Sequence, residues 1–475
     1  MSTAIKVAKN TAFLFCGRLI TKVISLFILL YVARYLGPVD FGKFSFAFSF
    51  IYFFSIISEA GVHDILVREA AKEPHNAGKL IGNATILKVI LSIVALLLAF
   101  IVINLIGYPE TTKNALYVAS LGLLITSINS FDVIYEITLR MEYSVLFSVA
   151  SRIFFLLFVL IATLTNSTLI VFIFASVAAD LLQNLLAFLF SEKFVKTEFN
   201  LESNIIMKML RDALPVSIAS VFIMIYFRID VVMLSFLKSD IDVGFYSSAY
   251  RLTEAFTFLP SILIVSIFPL MSKYKKNSPE LFNYIFIHSF KYLFASGLLI
   301  GVIITFLAKD IILLIYGIEY YESIKILQIL IWATSIMFVN TLLSSTYISS
   351  GNQKIIAKVS AFAALFNVGL NLILIPLFAS VGAALATVAT EFIVMIFGIY
   401  WITKNILHRY LFNEIFFPLI AAFLLVIYLL FFGTYINLLL LYSLSIFIFL
   451  GILHVTGWLN SEDKQLFRKV ILYKR

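Results

Sequence analysis

The sequence predicts an all-α membrane protein of about fourteen transmembrane helices, arranged as two parallel six-helix repeats that form two lobes, plus two extra C-terminal helices. Three observations support this class. Apolar and aromatic residues make up 62% of the 475 residues and charged residues only 13%, whereas about 25% of the residues in soluble domains are charged. The apolar residues occur in runs long enough to cross a bilayer, and one short motif occurs twice.

The apolar runs define the spans. A transmembrane helix needs about 20 mainly apolar residues, and runs of this length occur along the whole chain. The predicted spans are 11–36, 42–60, 81–106, 115–139, 144–164, 168–190, 212–237, 244–270, 284–308, 326–350, 355–378, 381–403, 412–432 and 436–457. The connections are too short for a folded soluble domain, so we expect the protein to act within or across the membrane.

Lysine and arginine predict the orientation, because cytoplasmic connections carry an excess of both. With the N-terminus in the cytoplasm, the inner segments hold 22 of the 35 basic residues, the outer connections 6 and the spans 7. We therefore expect a multi-pass protein of the cell (cytoplasmic) membrane with both termini cytoplasmic. Membrane lipids are the expected partner of the net charge of +9, and nucleic acid is not needed.

A repeated motif divides the chain. VDFGKFSFA at 39–47 recurs as IDVGFYSSA at 241–249, and each copy opens the second helix of its half. An even number of helices per repeat makes the two copies parallel, with a substrate site expected between them. The predicted domains are a six-helix lobe at 1–200, a second at 201–408, and two further helices with a basic tail at 409–475. The alternative is that Asp-x-Gly is ordinary turn chemistry at helix ends.

Charged residues inside the spans are the candidate site, because a charge in mid-bilayer costs about 3 kcal/mol or more without a partner or a cavity. Arg18 and Lys22 lie four apart on one helical face, where like charges repel, and Arg228 opens the second repeat. A basic group opening each half indicates an anionic substrate. Arg251 is three residues from Glu254 and can pair with it. Lys291 and Lys88 lie near cytoplasmic ends and are expected to reach the interface.

Several carboxylates also fall within spans, and they are candidates for coupling or gating. They are Asp132, Glu136, Asp180, Glu254 and Glu391. A stripe of Asp132, Glu136 and Arg140 is expected at four-residue spacing on the fourth helix. The alternative for all the intramembrane charges is ion pairing between helices that stabilises the bundle.

Other functional classes lack their signatures in the sequence. The five histidines are scattered singly without metal-ligand spacing, and there is no phosphate-binding loop with Gly-Lys-Ser/Thr. We therefore expect no metal, no cofactor and no nucleotide-driven motor, with coupling to H⁺ or Na⁺ left open.

Four segments resemble a known family. They are Gly17-Arg18, LGPVDFGKFSFAFSF, RDALPVSIASVFIMIYFRIDVVML and GFYSSAYRL. They are similar to the polysaccharide-transporter flippases, which include the O-antigen flippases and belong to the multidrug/oligosaccharidyl-lipid/polysaccharide exporter superfamily. The resemblance covers nearly the whole chain. It implies a non-enzymatic flippase for polyprenyl-pyrophosphate-linked oligosaccharides in polysaccharide biosynthesis, and the basic residues that engage the pyrophosphate map to Arg18, Lys22, Arg228 and Arg251.

The expected partners are accordingly membrane lipids and a lipid-linked oligosaccharide, with glycan-assembly proteins as further candidates, and we expect a monomer. The ion-coupling carboxylates of the drug exporters have no clear match here. Three alternatives remain open. The first is a cation-coupled multidrug exporter of the same superfamily, the second a membrane-embedded glycan polymerase or transferase, and the third a scaffold that transports nothing.

Overall fold

The protein, whose structure is a computed structural model, is built almost entirely of helices. The structure describes residues 3–407, 411–433 and 437–459, and within these ranges it contains no β-strand. The helices are α1 (Thr3–Glu59), α2 (Val62–Lys72), α3 (Ala77–Leu105), α4 (Glu110–Ser120), α5 (Gly122–Ile125), α6 (Asp132–Ile137), α7 (Met141–Leu164), α8 (Leu169–Ser191), α9 (Ser203–Leu237), α10 (Asp240–Phe256), α11 (Phe258–Asn277), α12 (Pro279–Ile315), α13 (Ser323–Ser349), α14 (Gln353–Ile402), α15 (Phe412–Phe432) and α16 (Leu438–Val455).

The helices account for the predicted membrane-spanning architecture. Within the described residues, 11 helical stretches are long and apolar enough to cross a membrane, and Leu440–Val455 is a shorter apolar helix. Two of the stretches contain a backbone break, at Gly37 in α1 and at Ala379 in α14, so each holds two spans. Both breaks fall where the sequence predicts a short connection. The prediction of about fourteen spans is therefore confirmed.

The break in α1 has a clear local cause. Gly37 adopts a φ of 72°, a conformation that is open to glycine at little cost, and Pro38 has no amide hydrogen to continue the helical pattern. The carbonyl of Ala33, four residues before Gly37, accepts a 2.6 Å hydrogen bond from the buried hydroxyl of Tyr320. The chain can therefore reverse direction here without leaving that carbonyl unsatisfied.

The predicted fourth span is less regular than expected. It consists of α4, α5, a 3₁₀ turn at Ile128–Phe131 and α6. Hydroxyls of Ser120, Thr126 and Ser127 each donate to a carbonyl three residues earlier, and such bonds compete with the regular helical pattern. Since α6 ends at Ile137 and Leu139 has a φ of 56°, the predicted stripe ends at Glu136. The expectation that Arg140 continues it is wrong.

Helix α2 lies outside the spans. It follows a backbone reversal at Ala60 and Gly61, both with positive φ, and its 11 residues are too few to cross a membrane. One face buries Val62, Ile65 and Leu66 in an apolar cluster. The opposite face carries charged residues, as expected of a helix at a membrane interface.

By their internal contacts, the helices form two compact units. Unit 1 comprises Met1–Ser248, Ile315–Tyr320 and Asn371–Ser380; unit 2 comprises Ala249–Leu314, Tyr321–Leu370 and Val381–Arg475. Unit 1 therefore includes α9 and the first half of α10. The predicted boundaries at 200 and 408 are drawn from the sequence repeat, and a division by contacts does not test them. They therefore stay a prediction.

The two copies of the repeated motif meet inside unit 1. A Cβ atom built on Gly42 would overlap the carbonyl oxygen of Asp240 and lie 3.0 Å from the amide nitrogen of Gly244. A Cβ atom on Gly244 would overlap the carbonyl oxygen of Pro38. These glycines occupy the same position in the two copies. The repeated glycine therefore permits a close, reciprocal backbone approach, which ordinary turn chemistry would not require.

Candidate functional site

The predicted basic residues at the start of the chain lie on α1. The backbone of Arg18 belongs to this helix, but its side chain lies outside the described residues. The side chain of Lys22, one turn later, is exposed. It forms no ion pair with any residue that the structure describes. Lys22 thus presents a positive charge on a membrane-spanning helix without a described carboxylate partner.

Arg228 and Arg251 differ in their surroundings. Arg228 is half-buried on α9 and, like Arg18 and Lys22, belongs to unit 1. Arg251 belongs to unit 2, where its Nη1 donates a 3.1 Å hydrogen bond to Oε2 of Glu254. This is the local pairing that the three-residue spacing allows. A role for Arg251 in binding substrate therefore stays a prediction.

Three of the other intramembrane carboxylates have identifiable partners. Asp180 accepts a 3.2 Å hydrogen bond from Arg152, and Oε2 of Glu391 accepts one of 2.6 Å from Asn340. Glu136 lies 3.5 Å from Nε2 of His63. Each of these three carboxylates faces a donor on another helix, which for Glu136 is α2.

A buried polar network in unit 1 joins three helical segments, and no pattern in the sequence indicates it. The Nζ atom of Lys88 donates a 2.9 Å hydrogen bond to Oε2 of Glu59 and another to Oδ1 of Asn129. The amide of Asn129 donates in turn to Oε1 of Glu59. The side chain of Lys88 is 1% exposed, so the expectation that it reaches the interface is wrong. Its charge is instead neutralised inside the protein.

Further ionisable groups adjoin this triad. Asp132 is within electrostatic reach of Lys88, His63 and Glu136, and Glu59 remains 31% exposed. Three carboxylates, one lysine and one histidine are thus gathered where α1 ends and α6 begins. Sequence spacing could reveal only Asp132 and Glu136, which lie on one helical turn, because the remaining members come from distant parts of the chain.

A second buried carboxylate in unit 1 is also absent from the predicted site. Asp230, 3% exposed, accepts a 2.7 Å hydrogen bond from the hydroxyl of Tyr246 and one of 2.5 Å from the amide of Asn371. Tyr246 belongs to the second motif copy, where it occupies the position of Phe44 in the first. The motif therefore contributes both the close glycine contact and a donor to a carboxylate buried on α9.

Ion pairs connect α2 to the beginning of α9. Arg68 donates a 2.8 Å hydrogen bond to Asp212, and Lys208 lies 3.3 Å from Oε2 of Glu69. Lys72 and Arg68 also donate to Oε1 of Glu69. These positive neighbours, Lys72 first, lower the pKa of Glu69 to about 2 because they favour its charged form.

A known protein family matches the first part of the chain. Residues 7–275, more than half of the chain, match the family described as polysaccharide biosynthesis protein. The chain belongs to this family. Residues 215–373 also match the MatE family, so the two families share the segment 215–275 of this chain.

Solved structures show that this family member has the fold of known transporters. The inward closed conformation of the lipid II flippase MurJ aligns over 94% of this chain and 98% of that chain, with a TM-score of 0.75 and 18% identity. An inward-facing multidrug resistance MATE transporter aligns over 82% and 95%, with a TM-score of 0.64 and 17% identity. A transporter from Pyrococcus furiosus, described by the reverse polarity of its binding pocket, aligns over 84% and 97%, with a TM-score of 0.57 and 17% identity.

Curated relatives are membrane proteins of Methanocaldococcus jannaschii. One is 26% identical over 44% of this chain and 49% of its own length, and another 28% identical over 24% and 22%. The matched region thus spans about half or less of the length of these relatives. Together, the family, the fold and these relatives show a multi-pass membrane protein with the fold of a transporter superfamily.

Proposed function

We propose that this protein is a flippase that moves a polyprenyl-pyrophosphate-linked oligosaccharide across the cell membrane by alternating access. The observation that carries the proposal is the exposure of one intramembrane cation, Lys22, beside carboxylates that already have donors. Lys22 is exposed without a described carboxylate partner, whereas Asp180, Glu136 and Glu391 each face a donor. The charge available to a ligand on α1 is therefore positive.

An anionic headgroup would use this positive charge. We propose that Arg18, Lys22 and Arg228 of unit 1 bind the pyrophosphate while the polyprenyl chain stays in lipid. A guanidinium group presents its donors in a planar fork that matches phosphate oxygens, and such charge-assisted hydrogen bonds are about twice as strong as neutral ones. The sugars would follow the headgroup across the membrane. Both termini of the protein would lie in the cytoplasm.

The competing function is export of cationic drugs, which the match to MatE over residues 215–373 supports. A cationic substrate would need carboxylates that are free to bind it. Asp230 is instead buried and held by Tyr246 and Asn371, and Glu254 is paired with Arg251. These contacts favour an anionic substrate, as does the family matched over the larger part of the chain.

We further propose that the cluster around Lys88 couples or gates transport. Glu59 joins α1 to α3 and to the 3₁₀ turn through Lys88 and Asn129. Asp132 and Glu136 lie beside it, together with His63. A network of carboxylates and basic side chains can take up or release a proton when one of its contacts breaks. It therefore suits a transport step that depends on H⁺.

Reconstituted transport tests the proposal. Vesicles containing the purified protein and a fluorescent polyprenyl-pyrophosphate oligosaccharide should flip the lipid, and Arg18→Ala or Arg228→Ala should lower the rate at least tenfold. The lysine variants should lose less, because charge survives while the planar fork does not. The matched control is Lys309→Ala, which removes an exposed basic residue of α12. Wild-type rates in both alanine variants, or efflux of a cationic dye that these variants leave unchanged, would overturn the proposal.

A further inference from the structure

A polar cavity lies in unit 2, where α12 and α15 begin and where the chain leaves α16. Its volume is about 470 Å³, within the range of about 300–1,000 Å³ that is usual for small-molecule sites. The cavity belongs to the two extra C-terminal helices as much as to the repeat, and no candidate substrate-binding residue whose side chain the structure describes lines it. The side chains that matter for its chemistry are Glu280, His288, Lys291, Asn413, Glu414 and Trp458.

Two buried side chains give the cavity a donor side. Trp458 is 7% exposed and Lys291 is 6% exposed, and the Nζ atom of Lys291 lies 4.4 Å from the centre of the indole ring. The indole Nε1–H has no acceptor among the residues that the structure describes. A buried donor without an acceptor is unfavourable. An oxygen-rich ligand in the cavity would provide the missing acceptor next to a positive charge.

The opposite charge is also present. Glu280 lies in the first turn of α12 and Glu414 in the first turn of α15, where Glu414 is 8% exposed. A ligand with only negative charge would be repelled by these carboxylates, and a ligand with only positive charge would be repelled by Lys291. A ligand that carries a phosphate and an amine matches both signs.

The surroundings indicate where such a ligand comes from. An apolar stripe begins beside the cavity on α15, at positions three or four residues apart that share one face of the helix. Its members, between 45% and 68% exposed, are Phe412, Phe416, Leu419 and Phe423. Exposed apolar side chains on a membrane-spanning helix contact lipid chains. A ligand in the cavity can thus have its polar group at the helix ends and its chains along α15.

We propose that this cavity binds the zwitterionic phosphate–amine headgroup of a membrane phospholipid, with the phosphate at Lys291 and Trp458 and the amine at Glu280 and Glu414. This lipid is a resident ligand and is distinct from the transported substrate. Its site therefore stands whether or not the protein proves to be a flippase. The same headgroup chemistry occurs in soluble phosphoethanolamine, so the source has to be distinguished by experiment.

Native mass spectrometry of the full-length protein in detergent tests the site. Phosphatidylethanolamine should bind more tightly than phosphatidylglycerol, which lacks the amine. Trp458→Phe should weaken both lipids about tenfold, the effect of one hydrogen bond to a charged group. Glu280→Gln changes an exposed residue and should reduce the preference for phosphatidylethanolamine, because only Glu414 then remains for the amine. The matched controls are Trp401→Phe, in the apolar cluster of unit 2, and Glu322→Gln, on an exposed turn.

Each outcome decides a part of the proposal. Equal affinity for both lipids that neither variant changes would overturn it, and so would an equal loss in the Trp401→Phe control. Soluble phosphoethanolamine that binds as tightly as the lipid would overturn the membrane source. Trp458→Phe could fail to fold, which thermal unfolding would reveal. In that case Glu280→Gln still decides, because an unchanged preference in that variant contradicts the amine site.

Discussion

Gly42 and Gly244 approach each other so closely that neither position has room for a β-carbon. A Cβ atom on Gly42 would overlap the backbone of Asp240, and one on Gly244 would overlap the backbone of Pro38. The two residues are equivalent in the repeated motif, so each copy accepts the backbone of the other. Such a reciprocal contact is what two segments related by rotation produce. It lies at the ends of the spans that the charge bias predicts to face outward.

Alanine at either glycine should therefore destabilise the protein. Each added methyl group would have to displace backbone atoms, and overpacking of this kind typically costs about 1–3 kcal/mol. We expect Gly42→Ala and Gly244→Ala to lower the melting temperature of the purified protein in detergent. If the contact closes the outer side during transport, both variants should also slow flipping.

Gly369→Ala is the matched control, because this glycine lies inside α14 and a Cβ atom added to it would have open space on all sides, with nothing within 4 Å. Alanine is the better helix former by about 0.5–1 kcal/mol, so this variant should be as stable as the wild type or more so. Equal losses of stability in all three variants would show that the close approach of Gly42 and Gly244 does not make an added methyl group more destabilising there than elsewhere.

The sequence was sufficient to predict the spans and the two breaks, because each depends on residues that are adjacent in the chain. Runs of apolar residues and the repeated Asp-x-Gly are both local signals. The irregular fourth span was missed. Its apolar content matched a plain helix, and hydroxyls that donate three residues back also occur inside regular helices, as Ser345 does in α13, so their presence alone does not predict a break.

The sequence predicted less of the candidate site. Pairing within one helix, as in Arg251 and Glu254, follows from spacing. The partners of Lys88 do not, because Glu59 and Asn129 lie 29 and 41 residues away in the chain. The contacts of Asp230 to Tyr246 and Asn371 likewise depend on the packing of separate helices, which no spacing along the chain can reveal.

The pair of Lys88 and Glu59 should respond to substitution as a buried ion pair. Removing one member of such a pair typically costs about 3–5 kcal/mol. Because Glu59 is 31% exposed, we expect about 2 kcal/mol for Lys88→Met, measured as a loss of stability in denaturant. The double variant Lys88→Met, Glu59→Gln should recover part of that loss, since no unpaired charge then remains buried.

Lys79→Met provides the comparison on the same helix. Lys79 pairs with Glu202 at 2.7 Å, but both side chains are at least a third exposed, and exposed pairs contribute at most about 1 kcal/mol. A smaller effect at Lys79 than at Lys88 is expected. Glu59→Gln alone completes the comparison. If the loss of stability in the double variant equals the sum of the losses in the two single variants, Lys88 and Glu59 are not energetically coupled.

Glu69 should make the stability of the protein depend on pH. Its pKa is lowered from 4.5 to about 2 in the folded protein, so the folded state favours the charged carboxylate. The stabilisation is fully present above about pH 4.5 and is lost as the pH falls towards 2. Glu69→Gln should therefore lower the melting temperature at about pH 7, and the difference from the wild type should shrink below about pH 4.5.

Asp64→Asn is the control for this titration. Asp64 is an exposed residue of the same helix and forms no ion pair with the described residues. It should leave the melting temperature close to that of the wild type across the same pH range. A difference for Glu69→Gln that stays constant from about pH 7 to about pH 3 would contradict the ion-pair explanation.

The orientation can be measured by cysteine labelling in a Cys16→Ser background, because Cys16 is the single cysteine of the chain. The excess of lysine and arginine predicts that the segment 191–196 and a C-terminal tag face the cytoplasm, whereas Lys238 and the turn at Tyr320 face outward. Tyr320 itself is buried, but its neighbour Tyr321 is 53% exposed.

Lys238→Cys and Tyr321→Cys should react with an impermeant maleimide in intact cells. Lys193→Cys should react only after permeabilisation, and Tyr320→Cys should react poorly in both cases. Labelling of Tyr321→Cys from the cytoplasmic side alone would invert the second half of the chain and with it the parallel relation of the two repeats.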